Sequence, residues 1–389
     1  MNLEGRVTID VRRTADAPDV RVAFSQPGRI DHLLRGKTPQ AAMEIVPAVF
    51  SLCAMAQTQA ARNALDAATG LTRSAAVLAA RQCMTEMESL RENALRIAID
   101  WPRFLGEAVD ARHLKPLMRL VPDLRTALPE TSLSPSSETS AHPHNQGSRD
   151  VIDRAEMLLQ DLVFAEPLNV WRDRCDSAAV ASWQVASRTS AARLLARISD
   201  AGWEDAGATP VIPLQPLDEN AVRSWMKDKE ADGAQLPPGT PAEAPETTLV
   251  ARHLDDQRLA GDGSHATRGY GLRGRLMARL VELSMLPDRM RQLIDGCVPP
   301  ARGRTLGANV GLAEVSAARG LLVHVAVLES GRIENYRILP PTRWNFAANG
   351  VAARMLRRIA SARDGDMHLL AEMTVNAIDP CVGHTVRVH

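Results

Sequence analysis

The chain opens on alternation. Arg6-Val7-Thr8-Ile9-Asp10-Val11 and Asp19-Val20-Arg21-Val22-Ala23-Phe24 place apolar side chains at every second position, the period of a strand with one buried face. Together they predict a β-hairpin with Ala17-Pro18 in its turn. The period then lengthens. Thr38-Pro39 offers a cap and a first-turn proline, and a helical tract follows from Ala41 to Ala68, with a kink expected at Pro47 and a break at Gly70. A second helix is expected over Arg73–Ile99, where Val77, Leu78, Met84, Met87 and Leu95 form a loose apolar stripe. The short turn between them makes an antiparallel helix pair.

Further helical patterns cover Ile152–Val163, Ala178–Ile198 and Leu272–Leu293, the last with a split expected at Pro287. Two stretches interrupt them. Pro129–Asp150 is rich in Ser, Thr, Pro and His, and Lys227–Glu246 carries Asp232-Gly233 and Pro237-Pro238-Gly239. Both can bury little and are expected to be flexible loops. Alternation returns at Gly320–Val327 and Ile333–Ile338, with Gly331 between them, a strand–turn–strand pattern. A last helix, Asn349–Ala360, is expected to lead through a polar loop to Asp379-Pro380-Cys381. The fold class is α+β, a mostly helical body with an N-terminal β-hairpin and a small C-terminal β-element. No internal repeat is present.

With 389 residues, 45% of them hydrophobic, the chain can bury a sizeable core. Its 46 basic and 46 acidic residues balance, which argues against nucleic acid or an anionic membrane as the main partner. No apolar run is long enough to span a bilayer, and Met1–Arg6 holds neither a signal-peptide core nor a twin arginine, so the expected address is cytoplasmic. Five cysteines, Cys53, Cys83, Cys175, Cys297 and Cys381, are odd in number and far apart. Reduced thiols follow, not a disulfide framework.

The C-terminal third carries specific motifs. Arg319-Gly320-Leu321-Leu322-Val323-His324 precedes Gly331-Arg332-Ile333-Glu334-Asn335-Tyr336, then Pro341-Thr342-Arg343-Trp344-Asn345, then Asp379-Pro380-Cys381. Upstream stand Arg35-Gly36-Lys37-Thr38-Pro39 and Cys53. In this order the elements resemble the large subunit of nickel–iron hydrogenases. The resemblance covers nearly the whole chain and implies a single large-subunit-like domain over residues 1–389. In that family two cysteine pairs hold nickel and iron; the first cysteine of each pair binds nickel terminally and the second bridges the metals. Cys53 and Cys381 match the first cysteines, but Ala56 and His384 stand at the bridging positions, and Ser51 and Ala54 replace the arginine and glycine of the N-terminal motif. Alanine offers no ligand, and an imidazole cannot bridge two metals as a thiolate does.

The resemblance therefore implies that hydrogen turnover is lost while part of a metal site is kept. Cys53 and Cys381, with His384 as a further candidate ligand, would hold iron without nickel, since thiolates suit soft low-spin iron. Arg319 and Thr342 match the residues that hydrogen-bond the cyanides of that iron. This combination is similar to the HupK/HoxV-type hydrogenase maturation proteins. It implies a scaffold that takes an Fe(CN)2(CO) group from HypC–HypD-type assembly proteins and helps pass it to a large-subunit precursor. Only Val388 and His389 follow Arg387, so nickel-gated trimming of the terminus is not expected. Plainer readings stand beside these. Cys53 could be a core cysteine on a helix, Arg319 could pair with Glu314, and His324 could be a buried, hydrogen-bonded side chain. Trp344 and Asn345 could be core and turn residues. An active large subunit, disfavoured by Ala56 and His384, and a metal-free structural relative, like the component of respiratory complex I derived from large subunits, are the competing functional classes.

Overall fold

In a computed structural model, residues 5–13, 18–25, 30–50, 52–133, 146–227, 237, 240–259, 269–362 and 366–389 are described. The expected hairpin forms from β1 (Arg6–Arg12) and β2 (Asp19–Ser25), paired antiparallel from Arg6↔Ser25 to Arg12↔Asp19. Val7, Ile9 and Val11 are fully buried, as the alternation requires. Of the turn residues, Ala17 lies outside the described residues. The tract read as one kinked helix is two, α1 (Pro39–Val49) and α2 (Ala54–Thr69). Pro47 is absorbed within the last turn of α1, and the break falls later, around Cys53. The Thr38 hydroxyl accepts from the Ala41 N–H, and Gly70, at φ 71°, ends α2.

The long helix α3 runs Ala75–Phe104, capped by the Ser74 hydroxyl on Val77 N–H. It packs on α4 (Leu114–Ala127) and α2, and α4 packs on α5 (Gln146–Leu159). Helix α5 begins inside the stretch expected to be a loop, so residues 146–150 are helical; 134–145 lie outside the described residues. The helix expected over 178–198 is split into α6 (Ser177–Ala186) and α7 (Ser190–Asp200), because Ser187 leaves helical geometry and the Thr189 hydroxyl caps a new start. Conversely, α8 (Leu272–Ile294) passes through Pro287 without breaking. Most of its length is buried against α3 and α5, and packing there outweighs one lost backbone hydrogen bond.

A four-stranded antiparallel sheet follows, made of the two-residue strand Arg304–Thr305, β3 (Val310–Ala317), β4 (Gly320–Glu329) and β5 (Arg332–Leu339). The sequence pattern revealed β4 and β5 but not their two neighbours. Alanine-rich α2 lies flat on β3: a Cβ at Gly311 would sit 2.0 Å from the Ala64 carbonyl oxygen. After α9 (Val351–Ser361) comes a helix that the sequence reading left as a polar loop, α10 (Met367–Ile378), capped by the Asp366 carboxylate on Leu369 N–H. The terminus is not a loose tail either. It forms β6 (Gly383–Val388), which pairs in parallel with β1, so the N-terminal sheet has the order β2-β1-β6. The second expected loop, 227–246, ends in packed structure. Glu246 is fully buried and ion-paired with Arg275, beside Thr248 and Thr209.

Among the described residues, no helix is long and apolar enough to cross a membrane.

Candidate metal-cargo site

Cys53 and Cys381, 328 positions apart, come close enough for their thiols to perturb one another's titration. The fold arranges this from two element ends. Cys53 is the residue that caps α2, at φ −130° and ψ 40°, outside helical geometry. It is buried with Ala56, Ala60, Val315 and Leu322, as the plainer core reading expects, but at the helix start. The start of α2 is held from α3. The Glu88 carboxylate accepts from the Met55 N–H at 2.8 Å and the Ala56 N–H at 3.0 Å, satisfying two of the helix's free donors. Burial pushes the Glu88 carboxyl up to about 7, against the pull of those two N–H groups.

Cys381 is half-buried at the start of the terminal segment. Its N–H donates to the Thr342 hydroxyl at 3.0 Å. Thr342 sits in the short helix Pro341–Asn345 and is 2% exposed. Just before it in the chain, Asp379 leaves α10 at φ 62°. Its buried carboxylate faces three guanidiniums: Arg96 at 2.9 Å, Arg319 at 3.1 Å and Arg279 at 3.5 Å. Burial alone would raise this carboxyl, but the three arginines hold it down to about 2. Arg279 also binds Asn93 and Asn376, tying α3, α8 and α10 together beneath the site.

Arg319 stands between β3 and β4, and it can do so only because glycine follows it. Gly320 has φ 129°, and a Cβ there would lie 2.1 Å from the Thr247 carbonyl oxygen. The Arg319 side chain is 3% exposed and pairs with Glu92 at 3.0 Å and Asp379, not with Glu314. Its Nη1 is buried without a hydrogen-bond partner among the described residues. Burial opposes its charge, but Asp379, Cys381, Glu92 and Cys53 together keep the guanidinium protonated, above its ordinary range.

Two neighbouring thiols beside an arginine share their protons unequally. The hydrogen bond from Cys53, the Arg319 charge and the Thr342 hydroxyl bring Cys381 down to about 7, against burial and Asp379. Cys53 moves the other way, because it donates to Cys381 and is buried beside a second negative charge. At pH 7 Cys53 keeps its proton and Cys381 has lost about half of its own. Alkylation of Cys381 in the full-length protein should therefore rise with a midpoint near pH 7. Peptide mapping after short iodoacetamide pulses reads this site by site. A midpoint near the ordinary thiol value of about 8.5 would remove the Arg319–Cys381 interaction from the argument.

Behind Cys53 lies a polar relay. The Gln57 amide approaches Cys53 Sγ at 3.7 Å, its Oε1 meets His324 Nε2 at 2.8 Å, and His324 Nδ1 meets the Tyr336 hydroxyl at 2.7 Å. Burial drives the His324 imidazole down to about 3, so it is the neutral, hydrogen-bonded core residue of the plainer reading. The Trp344 ring is buried, and Asn345 Oδ1 accepts from Thr247 N–H at 2.9 Å.

His384 does not join the thiols. It lies on β6, and its Nε2 faces Glu372 of α10 at 3.6 Å. Among the described residues, no three His, Cys, Asp or Glu side chains come together as a metal-binding cluster. Ala56 is fully buried and presents only a methyl group. Glu88, Glu92, Arg96, Arg279 and Gln57 all escaped the sequence reading. One signal was available: Glu88 and Glu92 are four apart, so on α3 they share a face, and both are buried.

The fold is similar to that of nickel–iron hydrogenase large subunits, and the candidate site in it consists of one thiol pair beside an arginine. Solved structures agree on the fold. The nickel–iron–selenium hydrogenase of D. vulgaris Hildenborough superposes with a TM-score of 0.60 at 14% identity, covering 95% of this chain and 94% of that one. An NAD+-reducing nickel–iron hydrogenase gives 0.55 at 18% identity, covering 93% and 92%. Sequence similarity over the full length points to a particular group. The hydrogenase expression/formation protein HupV of Azotobacter chroococcum is 28% identical over 394 residues, 99% of both chains. HoxV of Cupriavidus necator, with the same description, is 28% identical over 420 residues, covering 99% of this chain and 95% of that one. No protein-family model matches the chain.

Proposed function

We propose that this protein is a hydrogenase maturation scaffold that carries the Fe(CN)2(CO) group as cargo between HypC–HypD-type assembly proteins and a large-subunit precursor, and that it does not turn over hydrogen. The observation that carries this reading is the pairing of Cys53 and Cys381 from opposite ends of the chain beside Arg319, whose buried Nη1 has no hydrogen-bond partner among the described residues. The donor set fits such a cargo. Two soft sulfurs, one of them ionised near neutral pH, suit low-spin iron. An arginine donor locked in place suits an anionic diatomic ligand, and the Thr342 hydroxyl stands on the same side as Cys381. The two bridging thiolates that a nickel–iron pair needs are replaced by Ala56 and by a His384 turned toward Glu372. The full-length similarity to hydrogenase expression/formation proteins supports the same reading, as does the large-subunit fold, which lets the scaffold present itself as the precursor does. On this reading the molecule works in the cytoplasm.

The test is infrared spectroscopy of the protein purified without oxygen from cells that make an active hydrogenase. Carbonyl and cyanide stretches are expected, together with about one iron per chain and no nickel. Protein free of such bands when purified from cells with the complete assembly machinery would leave a metal-free docking mimic as the better reading.

A further inference from the structure

A recess of mixed polar and apolar lining, with Pro47, Met84 and Leu133 along its apolar side, lies on the outer side of α2, one to two turns beyond Cys53. Its volume is about 120 Å³. Met55, Thr58, Gln59 and Arg62 line it from one face of α2, at the i, i+3, i+4 and i+7 spacing of neighbouring side chains. Arg81 closes it from α3 and Arg125 from α4. Among the described residues, no carboxylate is in the lining. The nearby Asp66 is engaged by Arg73, at 2.8 and 3.0 Å, and lies 3.5 Å from Arg81. Arg62 makes no hydrogen bond or ion pair among the described residues, and its Nε is buried without a partner. Arg125 meets only the Met55 thioether among the described residues, at 3.5 Å. Gln59 is 3% exposed, and its amide oxygen has no partner among the described residues; rotated by half a turn, that amide would present its NH2 to the recess.

Like charges gathered in a half-buried recess repel, and leaving buried donors unmade costs free energy. Burial pushes the Arg62 guanidinium down to about 10; Asp66 opposes this, and Arg125 and Arg73 add to it. An anion seated between the arginines would remove both penalties. Chloride could meet the charge, but the fork geometry of guanidinium groups matches oxygens held in a fixed array. We propose that this recess is a binding site for a small, doubly charged oxyanion of the phosphate or sulfate class, held by Arg62, Arg81 and Arg125 with the Gln59 amide at its floor. The site does not depend on the cargo reading. It is separated from the thiol pair by the first turn of α2, and Met55 borders both: its side chain lines the recess and its N–H binds Glu88.

The experiment is calorimetric titration of the full-length protein with inorganic phosphate, and separately with acetate, at constant ionic strength set by sodium chloride. Saturable phosphate binding is expected, with acetate at least tenfold weaker. Arg125→Gln should weaken phosphate at least tenfold. Arg125 is exposed on α4, so this variant tests the site without a risk to folding, which circular dichroism verifies. Arg62→Gln should do the same. Binding that is absent, that is equally strong in both variants, or that favours acetate would overturn the proposal.

Discussion

Replacing Cys381 with serine should abolish iron carriage and hydrogenase maturation while leaving the protein folded. Serine is nearly isosteric with cysteine, keeps the backbone N–H that binds Thr342, and can still hydrogen-bond to Cys53. Stability should change by less than about 1–2 kcal/mol, the range for one altered buried polar contact. The ligand chemistry changes much more. A hydroxyl stays protonated at neutral pH and is a hard donor, so it does not suit low-spin iron, and the thiolate that Arg319 stabilises is gone. Carbonyl and cyanide bands should vanish, and hydrogenase activity in the producing cells should fall at least tenfold. Cys53→Ser should weaken both, with some loss of stability because Cys53 is buried at the start of α2. Cys297→Ser, at an exposed thiol, is the control and should change neither. If both Cys53→Ser and Cys381→Ser support full maturation, the pair does not carry iron.

Asp379→Ala is expected to be the most damaging substitution for the fold around the site. It leaves buried Arg279 and Arg319 and half-buried Arg96 without the carboxylate they share, with Arg319 still paired to Glu92 and Arg96 to Asp100. Breaking a buried ion pair from one side costs about 3–5 kcal/mol, and urea unfolding should show a loss of that order. Asp379→Asn keeps the shape and removes the charge, so most of the loss should persist. The same group gives a pH dependence. Its carboxyl is depressed from 3.8 to about 2, so its contribution to stability is complete above pH 3.8 and is lost as the pH falls through about 2. The acid limb of the stability curve should flatten in Asp379→Asn relative to the wild type. A loss below about 1 kcal/mol in Asp379→Ala would show that the arginines find other partners and that the Asp-Pro-Cys aspartate has no anchoring role.

That role explains why the motif reads Asp-Pro-Cys. The aspartate is an anchor, bound by arginines from three parts of the chain, and the cysteine two residues on is delivered to Cys53 as a consequence. The sequence gives no direct sign of this. Asp379, Arg96, Arg279 and Arg319 are distant in the chain, and no periodicity links them. The terminal strand β6 was missed for a related reason. Gly383-His384-Thr385-Val386-Arg387-Val388 alternates weakly over six residues, and its parallel partner β1 is at the other end of the chain, beyond the reach of any local signal. Its pairing makes the terminus part of a sheet, and it turns His384 toward Glu372.

The sequence by itself determined the elements whose period is strong and local. These are the N-terminal hairpin, the long second helix of the body, α8, and the pair β4–β5. It also supplied the candidate site residues, Cys53, Arg319, Thr342 and Cys381, and the departures at Ala56 and His384, through the resemblance of their motifs to those of the large subunits. Only the tertiary structure decided which of these residues meet. It broke the first helical tract so that Cys53 falls at the start of α2, carried α8 straight through Pro287, and packed a twelve-residue helix where a polar loop was expected. It brought Cys53 and Cys381 near one another and set His384 beside Glu372. The physical reason is the same in each case. Helix breaks, buried ion pairs and parallel strand pairing depend on burial against distant partners, and that burial exists only once the chain has folded.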